Sequence, residues 1–87
     1  MFQRQIELTE RFIKDLNRLD KNIQKRIIMV LYKLRDGESV DLRKLRGTDD
    51  EWRIRVGVYR IRIKITEKGI KVYALRVLHR RDAYWDL

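Results

Sequence analysis

The 87 residues, 44% hydrophobic and 40% charged, suffice for one domain spanning residues 1 to 87 but not for two. One histidine and no cysteine cannot build a usual transition-metal site, so we expect no metal and no cofactor. Lysine and arginine number 22 against 13 acidic residues, and the net charge of +9 favours nucleic acid, an anionic membrane or an acidic partner without choosing among them.

The first half of the chain predicts a strand followed by two helices. Residues Phe2 to Leu8 alternate as a short strand does, and Thr9 can cap the helix that follows. Apolar residues at helical spacing predict a helix from Glu10 to Leu19 and a second helix that Asp20 caps and Gly37 closes. We expect the two helices to form an antiparallel hairpin.

The second half predicts a loop and three strands. Residues 38 to 51 have no sustained period and are interpreted as a connecting loop. Strands from Glu51 to Val56, from Val58 to Thr66 and from Ile70 to Leu78 follow, with turns at Gly57 and at Lys68 and Gly69. The order β-α-α-β-β-β predicts an α+β fold in which the helix hairpin covers one face of a mostly antiparallel four-stranded sheet. The other face is expected to be open and basic.

Apolar and basic residues alternate through the predicted hairpin from Trp52 to Lys64. Successive strand residues point to opposite faces, so the apolar members can pack on the core while the cations share the open face. These cations are Arg53, Arg55, Arg60, Arg62 and Lys64. No acid lies between Trp52 and Lys64, and like charges on paired strands repel, so five unpaired cations indicate a polyanionic partner.

Two segments, LRGTDDEWRIRVGVYRIRIKI and ALRVLHRRDAY, resemble the RelE/ParE superfamily of toxins from bacterial and archaeal toxin–antitoxin pairs. The most specific pieces are leucine-arginine-glycine before the hairpin, Gly-x-Tyr-Arg at residues 57 to 60 and His-Arg-Arg-Asp-x-Tyr at residues 79 to 84. The resemblance covers nearly the whole chain. It implies a RelE-like fold and a metal-independent endoribonuclease that cuts messenger RNA in the ribosomal A site by attack of the 2′-OH on the adjacent phosphate.

The resemblance also implies the partners of the chain. These are the ribosome, messenger RNA and a cognate RelB-like antitoxin, with which the toxin forms a heterodimer or a heterotetramer. No membrane partner is implied. No apolar stretch approaches the roughly eighteen residues of a membrane span, and no leader precedes the first predicted strand, so we expect a cytoplasmic protein.

The RelE branch performs its chemistry with basic residues of the hairpin, an arginine after the last strand and a tyrosine near the terminus. Carried over residue by residue, these positions are Arg53, Arg55, Arg60, Arg80 and Tyr84. The best-known members have lysine where this chain has Arg53 and Arg55, and arginine, with a pKa above ~12, is a poor base. These two arginines are therefore assigned to charge stabilisation. The base stays open among Tyr84, His79 and Glu51.

Other basic residues are expected to bind RNA without taking part in the chemistry, namely Arg62, Lys64, Arg76 and Arg81. Those of the helices are expected to be solvated, namely Lys14, Arg18, Lys21, Lys25, Arg26 and Lys33. The aromatic residues Trp52, Tyr59 and Tyr73 are expected in the core.

Two other functions compete with the ribonuclease hypothesis. The rival is a ParE-like toxin, which has the same fold but inhibits DNA gyrase by binding and is not an enzyme. A third class is an RNA-binding module without catalysis, which would use phosphate contacts alone. The arginine and tyrosine near the end of the chain favour the ribonuclease.

Overall fold

Residues 3–83 are described by a computed structural model, and they form five strands and three helices. In chain order these are β1 (Gln5–Leu8), α1 (Glu10–Asn17), α2 (Lys21–Arg35), β2 (Leu42–Lys44), β3 (Glu51–Val56), β4 (Tyr59–Thr66), β5 (Lys71–His79) and α3 (Arg80–Ala83), with a 3₁₀ turn at Glu67–Gly69. Phe2, the predicted start of the first strand, lies outside the described residues. Over the described range no helix is long and apolar enough to cross a membrane.

The strands form one mixed sheet in the order β1-β5-β4-β3-β2. β1 pairs with β5 in parallel, and every other neighbouring pair is antiparallel. The predicted α+β class is confirmed, but the predicted count of four strands is one too low. The additional strand, β2, lies in the segment interpreted as a loop, because its three residues are too few to show a period.

Caps at the helix ends agree in part with the sequence-based expectation. The Thr9 hydroxyl accepts a hydrogen bond from the Phe12 N–H at 3.2 Å, as predicted for the start of α1. Gly37, at φ +78°, closes α2, and the N–H groups of Gly37 and Glu38 donate to the last-turn carbonyls of Leu34 and Lys33. Asp20 occupies the predicted N-cap position of α2, but its side chain makes no capping hydrogen bond.

Helices α1 and α2 pack on one face of the sheet. The buried core combines helix residues with alternate residues of the three long strands: Phe12, Leu16, Ile27, Leu31, Leu34, Ile54, Val56, Ile61, Ile63, Val72, Ala74 and Val77. Trp52 and Tyr59 are partly buried and pack against this cluster, which confirms their predicted place. The basic members of the β3–β4 alternation consequently lie on the opposite, open face.

A bulge in β5 changes which of its residues face the helices. Ala74 is opposite Ile63 of β4, whereas Arg76 is opposite Arg62, so Leu75 is an extra residue. The alternation of buried positions is offset by one residue beyond this point. A strict two-residue period along β5 therefore assigns one end of the strand to the wrong face.

Tyr73 lies on the open face, opposite Lys64. The expectation that Tyr73 belongs to the core is therefore wrong. Its ring lies 5.3 Å from Lys71 Nζ, and the hydrogen bond and charge of Tyr73 raise the pKa of Lys71 above its usual value.

Candidate functional site

Four arginines form a row across the open face of the sheet. Arg43 of β2 is opposite Arg53 of β3, and Arg53 is opposite Arg62 of β4. Arg62 is in turn opposite Arg76 of β5, which completes this arginine row. Neighbouring strands lie about 4.8 Å apart, and like charges directly opposite each other destabilise a sheet. Acids of the fold offset part of this repulsion, because Glu51 pairs with Arg62 and Asp15 pairs with Arg76.

The arginine pocket lies at the end of the sheet next to the β3–β4 turn. It is a depression of about 240 Å³ lined by Asp41, Arg43, Arg53, Arg55 and Arg60. Guanidinium groups present planar pairs of N–H donors that match the oxygens of a phosphate group. Four of them around one depression are an arrangement suited to a phosphate group, and these four arginines are called the phosphate clamp.

Arg60 is buried, with 8% of its surface exposed. Its Nη1 donates hydrogen bonds to the carbonyl oxygens of Gly57 at 3.0 Å and Tyr59 at 2.9 Å. Gly57 has a φ of +58°, a conformation that residues with a Cβ rarely adopt. The glycine makes the tight turn possible, and the turn carbonyls then hold the guanidinium. This side of the clamp is therefore preorganised.

Asp41 is the carboxylate of the arginine pocket. Its Oδ2 lies 2.7 Å from Arg55 Nε, and its Oδ1 lies 3.9 Å from Arg43 Nε. The carboxylate orients Arg55 but also takes a position that a phosphate oxygen could use. With four arginines and one aspartate, the lining keeps a net charge of +3.

Two further acids pair with cations in the part of the hairpin away from the turn. Glu51 Oε1 lies 3.1 Å from Arg62 Nη2, and Asp50 Oδ2 lies 3.6 Å from Lys64 Nζ. Together with the contact between Asp41 and Arg55, these pairs give three of the five hairpin cations an acidic partner, so the expectation of five unpaired cations is wrong. These acids lie outside the segment from Trp52 to Lys64 in the sequence. Strand pairing nevertheless brings them next to its cations, with Glu51 directly opposite Lys64.

Arg76 joins the sheet to α1. Its Nε lies 2.8 Å from Asp15 Oδ2, and the Val77 N–H donates to the same oxygen at 2.9 Å. The Asp15 side chain is only 9% exposed, so the ion pair fixes α1 against the edge of β5. Arg76, predicted to bind RNA, thus has a structural role. Arg81 instead pairs with Asp82 at 3.7 Å in solvent, where an ion pair contributes little to stability.

Arg80 begins α3 at the corner where β5 ends. Its backbone N–H donates to the Val58 carbonyl at 2.6 Å, which places it beside the β3–β4 turn. The residue is exposed and lies at the same end of the sheet as the arginine pocket, although it does not line the pocket. Tyr84 lies outside the described residues, so its catalytic assignment stays a prediction.

His79 follows the bulge in β5 and is opposite Tyr59, on the face that the helices cover. The two rings meet edge to face with their centroids 5.8 Å apart. His79 Nδ1 accepts a hydrogen bond from the Arg81 N–H at 3.2 Å, so in the neutral ring Nε2 carries the proton. The sheet separates this ring from the arginine pocket on the other face.

Sequence reasoning missed two residues of the pocket, Asp41 and Arg43. Both belong to the segment interpreted as a loop. The sequence signal for a strand here is the alternation of polar and apolar residues in Asp41, Leu42 and Arg43. In the structure Leu42 is half-buried between two exposed polar residues. Three residues are too short for a reliable strand pattern, and pairing with β3 brings Arg43 into the arginine row.

Comparison with known proteins gives consistent matches. The family model described as the ParE toxin of the type II toxin–antitoxin system parDE matches residues 6–84. Toxin RelE3 of Methanocaldococcus jannaschii is 36% identical over 78 residues, which are 84% of this chain and 86% of that protein.

Solved structures share the fold. A chain of the RelB–RelE antitoxin–toxin complex from Methanococcus jannaschii matches with a TM-score of 0.74 and 33% identity, covering 88% of this chain and 93% of that chain. A chain of the archaeal RelE–RelB complex from Pyrococcus horikoshii matches with a TM-score of 0.75 and 25% identity, covering 91% and 97%.

The matched family range extends from β1 to the end of the described residues and contains the whole arginine pocket. It also covers the motifs on which the resemblance depends, so the resemblance is confirmed. The chain therefore belongs to the RelE/ParE superfamily of toxins of type II toxin–antitoxin systems.

Proposed function

We propose that this toxin is a ribosome-dependent, metal-independent endoribonuclease that cuts messenger RNA in the A site. The observation that carries the proposal is the arginine pocket, in which four guanidinium groups surround a space of about 240 Å³. A phosphodiester can bind such a clamp through both of its non-bridging oxygens. The relatives named RelE support the same branch of the superfamily.

The reaction is attack of a ribose 2′-oxygen on the adjacent phosphorus. The 2′-OH loses its proton as the new P–O bond forms, and the phosphorane intermediate carries an additional negative charge. The bond from phosphorus to the 5′-oxygen then breaks, and that oxygen takes up a proton. The products are a 2′,3′-cyclic phosphate and a free 5′-hydroxyl. Arg53, Arg55 and Arg60 stabilise the additional charge, with Arg60 favoured by its burial.

The family pattern assigns Tyr84 as the base that removes the proton from the 2′-OH. Arginine cannot accept a proton near neutral pH, because its pKa lies above ~12. A cluster of cations favours the phenolate form of a nearby tyrosine, which makes it a better base. The alternatives have less support, because Glu51 is paired with Arg62 and His79 lies on the helix-covered face.

We propose that a RelB-like antitoxin binds the apolar groove between β1 and α2, in a heterodimer or a heterotetramer. The groove has a volume of about 200 Å³ and is lined by Ile6, Leu8, Ile28, Leu31, Tyr32 and Arg35. Tyr32 is 51% exposed, and β1 is an edge strand of the sheet. An edge strand beside an apolar groove accepts a segment that folds on binding. The matched archaeal structures contain an antitoxin with the toxin.

Toeprinting of a translated message tests the nuclease directly. The purified chain should arrest translation in a cell-free extract and leave the message cut within the A-site codon. Arg55→Gln should cut more slowly because the clamp loses a charge, whereas Lys33→Gln, at the far end of α2, should cut as the wild type does. An intact message on arrested ribosomes would contradict the proposal.

A second candidate, inhibition of DNA gyrase, is favoured by the ParE description of the matching family. Its test uses the same purified chain with gyrase and supercoiled DNA. Gyrase trapped on cleaved DNA, together with uncut message in the toeprint, would move the assignment to the ParE branch.

A further inference from the structure

The N-terminal half of α2 carries positive charge that the fold does not explain. The helix contains five basic residues and no acidic one, and Lys21 stands in its first turn. A cation at a helix N-terminus opposes the helix dipole, and Lys21 and Lys25 repel each other at four-residue spacing. Among residues 3–83, no carboxylate forms an ion pair with Lys21, Lys25 or Arg26. These three exposed residues are called the helix corner.

Two members of the helix corner, Lys25 and Arg26, lie against the turn of the β3–β4 hairpin. The guanidinium of Arg26 comes within 3.5 Å of the point that a Cβ on Gly57 would occupy. A shallow depression of about 450 Å³ joins the two elements, lined by Lys25, Arg26, Met29, Val30, Arg55, Val56 and Gly57. Arg55 also lines the arginine pocket. The basic surface is therefore continuous from the pocket, over the turn, to α2.

We propose that the helix corner binds the phosphate backbone of folded RNA and so holds the arginine pocket over the message. This inference rests on the proposed ribonuclease function. Lysine ammonium groups are flexible point charges that suit phosphates, and phosphate contacts fix position without reading sequence. None of the residues that line the depression is aromatic, so bases have no surface on which to stack. The chemistry fits the structured RNA that surrounds a message in the ribosome.

An acidic protein could match the charge of the helix corner, and Lys21 and Lys25 border an apolar depression with Ile28, Met29 and Tyr32. The groove proposed for the antitoxin lies on the other side of Ile28 and Tyr32, toward β1, whereas Lys25 and Arg26 face the hairpin turn and the arginine pocket. Lysine is depleted at the centre of protein interfaces and frequent on surfaces that bind nucleic acid. RNA is therefore the favoured occupant.

The test compares the full chain with a variant in which Lys21, Lys25 and Arg26 are all replaced by glutamine. Glutamine has good helix propensity, and the change removes a repulsion, so α2 should stay folded. The matched control replaces three exposed lysines elsewhere with glutamine and loses the same charge: Lys14, Lys33 and Lys68. Thermal melting verifies the fold of both variants. Affinity is measured against salt concentration for ribosomes without message and, separately, for an isolated RNA hairpin.

The slope of log affinity against log salt concentration is negative, and the helix-corner variant should reduce its magnitude by about 2 to 3 on both RNAs. This corresponds to roughly 0.7 to 0.9 for each lost phosphate contact. Cleavage in a single turnover at saturating ribosomes should keep the wild-type rate, because the clamp itself is intact. The control variant should change the slope much less.

An unchanged slope, or an equal loss in the control, would overturn the inference. A variant that loses affinity for the antitoxin but not for RNA would assign the helix corner to protein binding instead. If the wild-type chain neither binds nor cuts on ribosomes, while the isolated hairpin still shows the difference in slope, the proposed function fails and the phosphate site stands.

Discussion

Arg60 combines a structural and a chemical role, and Arg60→Ala should damage both. The substitution removes the hydrogen bonds from Nη1 to the carbonyl oxygens of Gly57 and Tyr59, at 3.0 and 2.9 Å. A hydrogen bond from a charged donor contributes about 1.5 to 3 kcal/mol, and one nitrogen makes both bonds here, so we expect a loss of about 2 kcal/mol in the free energy of unfolding. For a domain of this size that loss lowers Tm by roughly 8 to 16 °C.

The same substitution removes a positive charge from the phosphate clamp. Loss of one donor to a developing oxyanion costs about 2 to 4 kcal/mol of transition-state stabilisation, which is a roughly 30- to 900-fold slower cut. Ribosome affinity should fall much less, because the other cations of the open face remain. Arg60→Lys keeps the charge but lacks the planar pair of donors, so it should recover part of the stability and little of the rate.

Thermal melting followed by circular dichroism measures the first effect, and single-turnover toeprinting at saturating ribosomes measures the second. The rates are compared at a temperature well below the Tm of each variant, so that unfolding does not imitate a loss of chemistry. If Arg60→Ala melts with the wild type, the turn does not depend on this guanidinium. If it cuts at the wild-type rate, Arg60 does not stabilise the transition state.

Five further substitutions test the site. Tyr84→Phe should slow a single-turnover cut without changing ribosome affinity, and His79→Gln should not; abolished cleavage in His79→Gln alone would reverse that assignment. Asp41→Asn removes the anion of the arginine pocket and should tighten phosphate binding about fourfold, from roughly 0.8 kcal/mol of repulsion at about 5 Å in water; weaker binding, measured by calorimetry, would show that Asp41 chiefly orients the clamp. Arg62→Ala and Lys64→Ala should each reduce the salt slope of binding to single-stranded RNA by about 0.7 while single-turnover cleavage persists, and an unchanged slope would exclude a phosphate contact there.

The sequence by itself placed the hairpin cations on one face. Alternation in a strand is a local property, since each residue points opposite to its neighbour whatever the rest of the chain does. The register confirms it, with Arg53 opposite Arg62 and Arg55 opposite Arg60. The helix cap at Thr9 and the turn at Gly57 could be predicted for the same reason, because the decisive contacts span only a few residues.

Only the tertiary structure decided which charges meet. Asp41 contacts Arg55 because β2 pairs with β3, and β2 is too short to be seen in a sequence pattern. Arg26 lies beside Gly57 only because α2 packs over the hairpin. These contacts join distant parts of the chain, and no local period contains them.

The bulge in β5 is the clearest limit of the sequence pattern. One extra residue, Leu75, puts Tyr73 and His79 on opposite faces although a strict alternation would put them on the same one: Tyr73 lies on the open face and His79 on the helix-covered face. A bulge arises where two strands of a sheet accommodate each other, so its position depends on the partner strand β4 as well as on β5 itself. Because side chains alternate with a period of two, a shift of a single residue exchanges the faces, and which face His79 would occupy was decided by that packing.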